Sequence, residues 1–153
     1  MTRKEDIIYL AGLFDGEGSV GIRRENPGEK RKSSTYDLEI TITNTNKAVL
    51  LWAVDTFQVG YITVHHKQDD NSHISACWRW RVSCKKAAGL LKKLLPYLKI
   101  KKEVALLALE FDALPSGHCG IGRVSPELTK KREALKQKIS ATSTRNAWRT
   151  RGT

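Results

Sequence analysis

The fold of this chain is decided by the stretch Leu10-Ala11-Gly12-Leu13-Phe14-Asp15-Gly16-Glu17-Gly18, which closes a run of apolar residues at helical spacing. This periodicity predicts a helix from about Lys4 to Asp15. The glycines at its end can take left-handed backbone angles, so the helix is expected to stop at Asp15-Gly16-Glu17-Gly18. Directly behind it, residues 19–24 alternate between apolar and polar side chains and predict a strand.

The rest of the chain predicts three more strands and four more helices. The strands are expected at Tyr36–Thr43, Tyr61–His66 and Cys77–Ser83, and the helices at Ala48–Phe57, Lys85–Tyr97, Lys101–Leu114 and Ser125–Ile139. The order is typical of an α+β fold, an αββαββα core with one four-stranded antiparallel sheet, followed by C-terminal helices. Residues 1–139 are expected to form one domain, and residues 140–153 a basic tail without regular structure.

The charge of the chain indicates the class of its partner. Lysine and arginine outnumber aspartate and glutamate by 27 to 16 in 153 residues, which gives a net charge of +11. Such a surplus favours a polyanion, because neutralised phosphates release condensed counterions. No apolar run is long enough to cross a bilayer, and no signal peptide or small-molecule cofactor motif is recognised. We expect a soluble intracellular protein, in the cytoplasm of a prokaryote or in an organelle matrix.

One face of the predicted sheet is polar and basic. It is expected to carry Ser19, Gly21, Arg23, Glu39, Thr41, Thr43, Thr63 and His65. If hydrophobicity places Trp78, Trp80 and Val82 in the core, Arg79 and Arg81 join this face. Such a surface can lie in the major groove of DNA and read base edges, although a plain solvated face has the same composition. In the tail, Arg145 and Arg149 suit phosphate contacts, and a basic tail without a specific role is the alternative.

The motif also combines small side chains with an acid. Ala11, Gly12 and Gly16 allow a second helix to approach closely, and Glu17 is expected just beyond the helix end, where the helix dipole disfavours negative charge. Two such carboxylates meeting at a dimer axis would repel each other unless a divalent cation lay between them. Mg²⁺ prefers oxygen ligands of this kind. The expected dimer contacts are Ile8, Ala11, Gly12 and Asp15.

The motif resembles that of the LAGLIDADG homing endonucleases with a single motif per chain. Similar pieces follow at Asn44-Thr45-Asn46 and at residues 96–102, and the resemblance spans residues 6–114. It implies a DNA-binding saddle formed by the sheet, and a metal bound by the Glu17 carboxylate and the Gly16 carbonyl. It also implies that Asn46 orients active-site water, that Lys101 stabilises charge at the scissile phosphate, and that Asp15 is more structural than catalytic.

The single copy of the motif predicts a C2 homodimer, because cutting both strands of double-stranded DNA requires two active sites. The target is then long and near-palindromic. The expected cofactor is Mg²⁺, with Mn²⁺ or Ca²⁺ accepted in the same site; Glu17 replaces the aspartate of many relatives, which leaves the metal preference open. A non-catalytic RNA splicing cofactor (maturase) or DNA-binding regulator on the same fold is the alternative. The retained Glu17, Asn46 and Lys101 favour catalysis.

Overall fold

The structure is a computed structural model that describes residues 2–29, 33–67, 75–115 and 124–149, with side chains in the last helix as far as Ser143. The elements are α1 (Lys4–Glu17), β1 (Gly18–Glu25), β2 (Thr35–Asn44), α2 (Lys47–Phe57), β3 (Tyr61–His66), β4 (Cys77–Ser83), α3 (Cys84–Leu94), a 3₁₀ turn (Leu95–Tyr97), α4 (Lys102–Ala113) and α5 (Pro126–Arg149). The predicted αββαββα order is therefore confirmed. Within the described ranges, no helix is both long and apolar enough to cross a membrane.

The four strands form one antiparallel sheet in the order β1-β2-β4-β3. Its inner face is apolar, because alternate residues of each strand point the same way. In β2 the inner residues Leu38, Ile40 and Ile42 are at most 2% exposed. In β4, Trp80 and Val82 are each 1% exposed, and Trp78 packs against the core from the strand end. This confirms the orientation predicted from hydrophobicity, which puts Arg79 and Arg81 on the outer face.

The helices α1, α3 and α4 supply the other side of the core. Their buried residues are Leu10, Ala11 and Phe14 in α1, five residues of α3, and Val104, Ala105, Ala108 and Phe111 in α4. These helices pack on the inner face of the sheet, and on its outer face Ser19, Arg23 and His65 are exposed.

The last helix corrects one prediction. It runs to Arg149, whereas the sequence predicted an end near Ile139 and no regular structure beyond it. The buried stripe continues past the expected boundary, since Leu135 and Ile139 are followed by Thr142, which is 3% exposed. A pattern that counts apolar residues misses a buried threonine. The helix is also tied to the sheet, where the Tyr36 hydroxyl donates to the Glu133 carboxylate at 2.8 Å.

The junction of α1 and β1 corrects a second prediction. The helix continues through Glu17, and Gly18 has an extended backbone with φ −82° rather than a left-handed one. Glycine is required there for space, because an added Cβ would lie 2.5 Å from the carbonyl oxygen of Phe14 and 2.3 Å from its ring. The helix therefore passes straight into the strand.

We expect Gly18→Ala to lower the free energy of unfolding by about 3 kcal/mol, because neither the buried Phe14 ring nor its carbonyl can move aside cheaply. Gly89→Ala is the matched control, since an added Cβ there meets nothing within 4 Å. That change within α3 should raise the free energy of unfolding by about 0.5–1 kcal/mol. Urea unfolding curves measure both, and equal stability of the two variants would contradict the close contact.

Candidate functional site

The end of α1 presents an exposed acid at the edge of the sheet. Glu17 is the last residue of the helix, and both Glu17 and Gly16 are exposed. Gly18 pairs with Ile42, so Glu17 lies next to the point where β2 ends at Asn44. The predicted metal ligands thus occupy a position from which they can face a molecule lying along the outer face of the sheet.

Asp15 connects this helix end to the segment before α4. Its carboxylate accepts hydrogen bonds from the backbone N–H groups of Lys99 at 2.8 Å, Ile100 at 3.2 Å and Lys101 at 3.0 Å. A carboxylate that accepts several backbone N–H groups is strongly held. The carboxylate is thus satisfied inside its own chain, and the expected contact of Asp15 with a partner chain stays a prediction.

Lys101 contacts the end of α1 at Asp15. Its Nζ donates a hydrogen bond to the backbone carbonyl of Asp15. Burial lowers the pKa of Lys101 from its ordinary value, while the negative charges of Asp15 and Glu17 act in the opposite direction. The structure therefore joins Lys101 to the end of α1 at Asp15, two residues before Glu17, and the catalytic roles of Glu17 and Lys101 stay predictions.

Asn46 has a clear structural task. It is the N-cap of α2, and its side-chain oxygen accepts from the backbone N–H of Val49 at 3.3 Å. The Asn44 side chain in turn accepts from the backbone N–H of Asn46 at 2.8 Å. The oxygen of Asn46 is thus used by the fold, and the catalytic role of this residue remains a prediction.

The outward surface of α1 consists of residues four apart. Ile8 is 45% exposed, and Gly12 is exposed with nothing within 4 Å of an added Cβ. Ala11 is 0% exposed within the single chain, so its expected place at a dimer contact is wrong. It shares the buried side of the helix with Leu10 and Phe14. The sequence did not indicate Tyr9, which is 56% exposed and packs edge-on against Trp52 at 5.1 Å between ring centroids.

The outer face of the sheet holds its two central arginines in fixed positions. Arg81 donates to both oxygens of Glu39, at 2.8 and 3.1 Å, and this contact is the main reason why the pKa of Arg81 is raised. Arg79 donates from Nε to the Thr43 hydroxyl at 3.2 Å and contacts the His65 ring at 3.1 Å. Because these partners are themselves on the outer face, the arginines are oriented before any ligand binds.

The other predicted outer-face residues lie where the strand pairing puts them. Ser19 pairs with Thr41, which pairs with Arg81, and Arg81 pairs with Tyr61. The remaining members are Gly21, Arg23 and Thr63. Further residues of this face were not among the predicted DNA contacts, although strict alternation along each strand indicates them; they include Asp37, Ser83 and Tyr61. The side chains of Arg145 and Arg149 lie outside the described residues.

Comparison with known proteins identifies the family. The model of the LAGLIDADG endonuclease family matches residues 10–107. The DNA endonuclease I-CreI of Chlamydomonas reinhardtii is 32% identical over 118 residues, which are 74% of this chain and 66% of that protein. The chain therefore belongs to the LAGLIDADG endonuclease family, a class of enzymes that hydrolyse DNA, and the predicted family is confirmed.

Solved structures confirm the fold. The homing endonuclease I-CvuI in complex with the I-CreI target superposes with a TM-score of 0.72 at 22% identity, over 91% of this chain and 82% of that one. The archaeal intron-encoded homing endonuclease I-Vdi141I, complexed with DNA, gives a TM-score of 0.71 at 18% identity, over 90% and 84% of the two chains. The helix end with Glu17 and the outer face of the sheet are therefore parts of a LAGLIDADG fold.

Proposed function

We propose that this chain cuts double-stranded DNA at a long, near-palindromic site as a homodimer, in the manner of an intron-homing endonuclease. The observation that carries the proposal is the hydrogen bond from Lys101 to the carbonyl of Asp15, two residues before Glu17, beside a polar, arginine-bearing sheet face. An acid that can hold a metal, a cation that can stabilise a phosphate and a surface that fits a groove are the parts that phosphodiester hydrolysis at a defined sequence requires.

The homodimer is supported by the outward surface of α1. Within its own chain an added Cβ at Gly12 meets nothing within 4 Å, so the helix surface there is open. Ile8, four residues before Gly12, is 45% exposed, and an exposed apolar side chain next to a position without a side chain leaves room for a second helix. A second copy of α1 against Ile8, Gly12 and Gly16 brings two Glu17 carboxylates near one axis. Each carboxylate would take part in the cleavage of one DNA strand.

The acidic helix end fits a divalent cation. The Glu17 carboxylate and the Gly16 carbonyl offer the hard oxygen donors that Mg²⁺, Mn²⁺ and Ca²⁺ prefer, and both residues are exposed. Crystals of I-CvuI with DNA were obtained in the presence of Mg and of Ca. When bound, the ion activates water and stabilises the leaving oxygen. Lys101 contributes a second positive charge, and its hydrogen bond to the Asp15 carbonyl holds that charge near the proposed metal site.

The outer face of the sheet is the proposed surface for sequence recognition. Arginine donates two parallel hydrogen bonds to guanine in the major groove, and Arg79 and Arg81 lie at the centre of this face. Glu39, Thr43 and His65 already contact them. Arginines oriented in advance lose less conformational freedom when they bind, which favours recognition of defined bases.

Cleavage of a plasmid library with randomised palindromic inserts, in the presence of Mg²⁺, tests the proposal. The expected result is a small set of related inserts cut on both strands, and no cutting when Mg²⁺ is chelated. If the protein retained particular inserts without cutting them, it would be a DNA-binding regulator. Binding of structured RNA without cleavage of DNA would indicate a splicing cofactor.

We expect Arg79→Ala and Arg81→Ala each to weaken binding to the selected target by about 1–3 kcal/mol and to relax the base preference at one position per half-site. Lys92→Ala is the control, because this exposed lysine lies on α3, which packs against the inner face of the sheet. It removes the same charge and should leave the base preference unchanged. An unaltered preference in both arginine variants would show that other residues read the DNA.

A further inference from the structure

The Asp15 side chain and backbone both contact the segment that leads into α4. The carboxylate accepts hydrogen bonds from three backbone N–H groups, the last of which belongs to Lys101. The Asp15 carbonyl accepts a hydrogen bond from the Lys101 ammonium. Lys101 is the N-cap of α4 and has no side-chain cap of its own. A negative charge at this end of a helix is favourable, since free N–H groups and the helix dipole point toward it. Asp15 thus holds Lys101 at two points.

We propose that Asp15 is a positioning residue for DNA cleavage, which fixes the Lys101 ammonium beside the Glu17 carboxylate; this rests on the proposed function of the site. A free lysine side chain populates many rotamers, and ordering it costs about 2 kcal/mol. Here the backbone of Lys101 is fixed by the carboxylate and its Nζ by the carbonyl of the same residue. Asp15, the first acid of the motif, therefore assists Glu17, the second acid, by holding Lys101 in place, and it does not contact the DNA itself.

The negative charge of Asp15 is central to this arrangement. Asparagine has the same shape, but it offers one acceptor oxygen where the carboxylate offers two, and its amide group would face N–H donors. Lys99 bonds to one carboxylate oxygen, whereas Ile100 and Lys101 bond to the other. Asp15→Asn must therefore leave at least one of these N–H groups without its partner and release the segment that carries Lys101.

A double-mutant cycle on the selected DNA target tests the proposal, with single-turnover cleavage and DNA affinity measured for each protein. We expect Asp15→Asn to slow cleavage about 10-fold and Lys101→Met about 100-fold, with DNA affinity changed less than about threefold. The double variant should be no slower than Lys101→Met alone, because Asp15 then has no lysine to position. The proposal would be overturned if the effects of Asp15→Asn and Lys101→Met on the cleavage rate multiplied in the double variant. It would also be overturned if Asp15→Asn reduced DNA affinity as much as the cleavage rate.

Asp112→Asn separates positioning from stability. Asp112 also accepts from one lysine through both its carboxylate and its carbonyl, since Lys85 Nζ lies 2.8 Å from Oδ1 and 3.1 Å from the carbonyl oxygen. This pair joins α4 to α3, and its loss should leave the cleavage rate unchanged. Should Asp15→Asn prove unstable, Asp15→Glu restores the charge and should recover part of the rate. Failure of that rescue in a folded protein would count against positioning.

The cycle also distinguishes this proposal from the proposed function. If the unmodified protein cut no member of the library, both would be overturned. If it cut the target and the effects of the two substitutions on the cleavage rate multiplied, the proposed endonuclease activity would be supported. The positioning role of Asp15 would be contradicted. Amide hydrogen exchange gives a further check, because the N–H groups of Lys99, Ile100 and Lys101 should lose protection in Asp15→Asn and keep it in Asp112→Asn.

Discussion

Glu17→Gln is expected to slow DNA cleavage in Mg²⁺ more than about 100-fold, the loss that even the outer partners of a metal ligand can cause. Glutamine keeps the volume of the side chain and removes the charge that holds the cation. Glu17 ends α1 as an exposed side chain, so the fold should not depend on it. Affinity for the target should therefore be retained. Cleavage of a plasmid that carries the selected target measures the rate, and fluorescence anisotropy measures the binding.

Glu110→Gln is the matched control for that experiment. Glu110 is an exposed acid on α4, and the same substitution there should change neither rate nor affinity. Cleavage at the normal rate by Glu17→Gln would remove Glu17 from the active site. A parallel loss of rate in Glu110→Gln would instead point to a general effect of charge.

Gly12→Leu is expected to convert the proposed dimer into a folded monomer. Within one chain a side chain at position 12 points into open space, so leucine should not disturb the core. Between two closely packed helices the added atoms overfill the contact. Sedimentation velocity measures the change in mass, and circular dichroism shows that the fold remains. Cutting of both strands should be lost together with the dimer.

Gly89→Leu provides the comparison, because Gly89 is another exposed helical glycine with nothing within 4 Å of an added Cβ. It should remain a dimer and remain active. A Gly12→Leu protein that still dimerised with unchanged affinity would place the subunit contact on another surface.

Local patterns in the sequence were sufficient for most of the fold. The bounds of β3 and β4 agree with the structure residue for residue, and in β4 the predicted alternation corresponds to one buried face. The orientation of β4 also followed from hydrophobicity, because a buried Trp80 adds far more apolar area to the core than an arginine would. These features depend on neighbours in the sequence.

The features that sequence reasoning missed depend on distant residues. Periodicity could not tell whether Ala11 faces its own core or a partner, because a small residue suits both. Nor could it reveal that Asp15 bonds to backbone groups that come 84 to 86 residues later. Glu17 and Lys101 were assigned through the resemblance, and the structure supplied the contact at Asp15 that places the lysine.

The direct passage from α1 into β1 has a consequence for the length of the target. Glu17 ends the helix and Gly18 begins the strand, so no loop between them can absorb a change of position. In the proposed dimer, packed helix axes lie about 8–10 Å apart, and the side chains at the contact set that value. The distance between the two sheets is then fixed as well. On this proposal, the number of base pairs between the half-sites is determined by residues such as Gly12 and Gly16 in the proposed subunit contact, rather than by the side chains proposed to read bases.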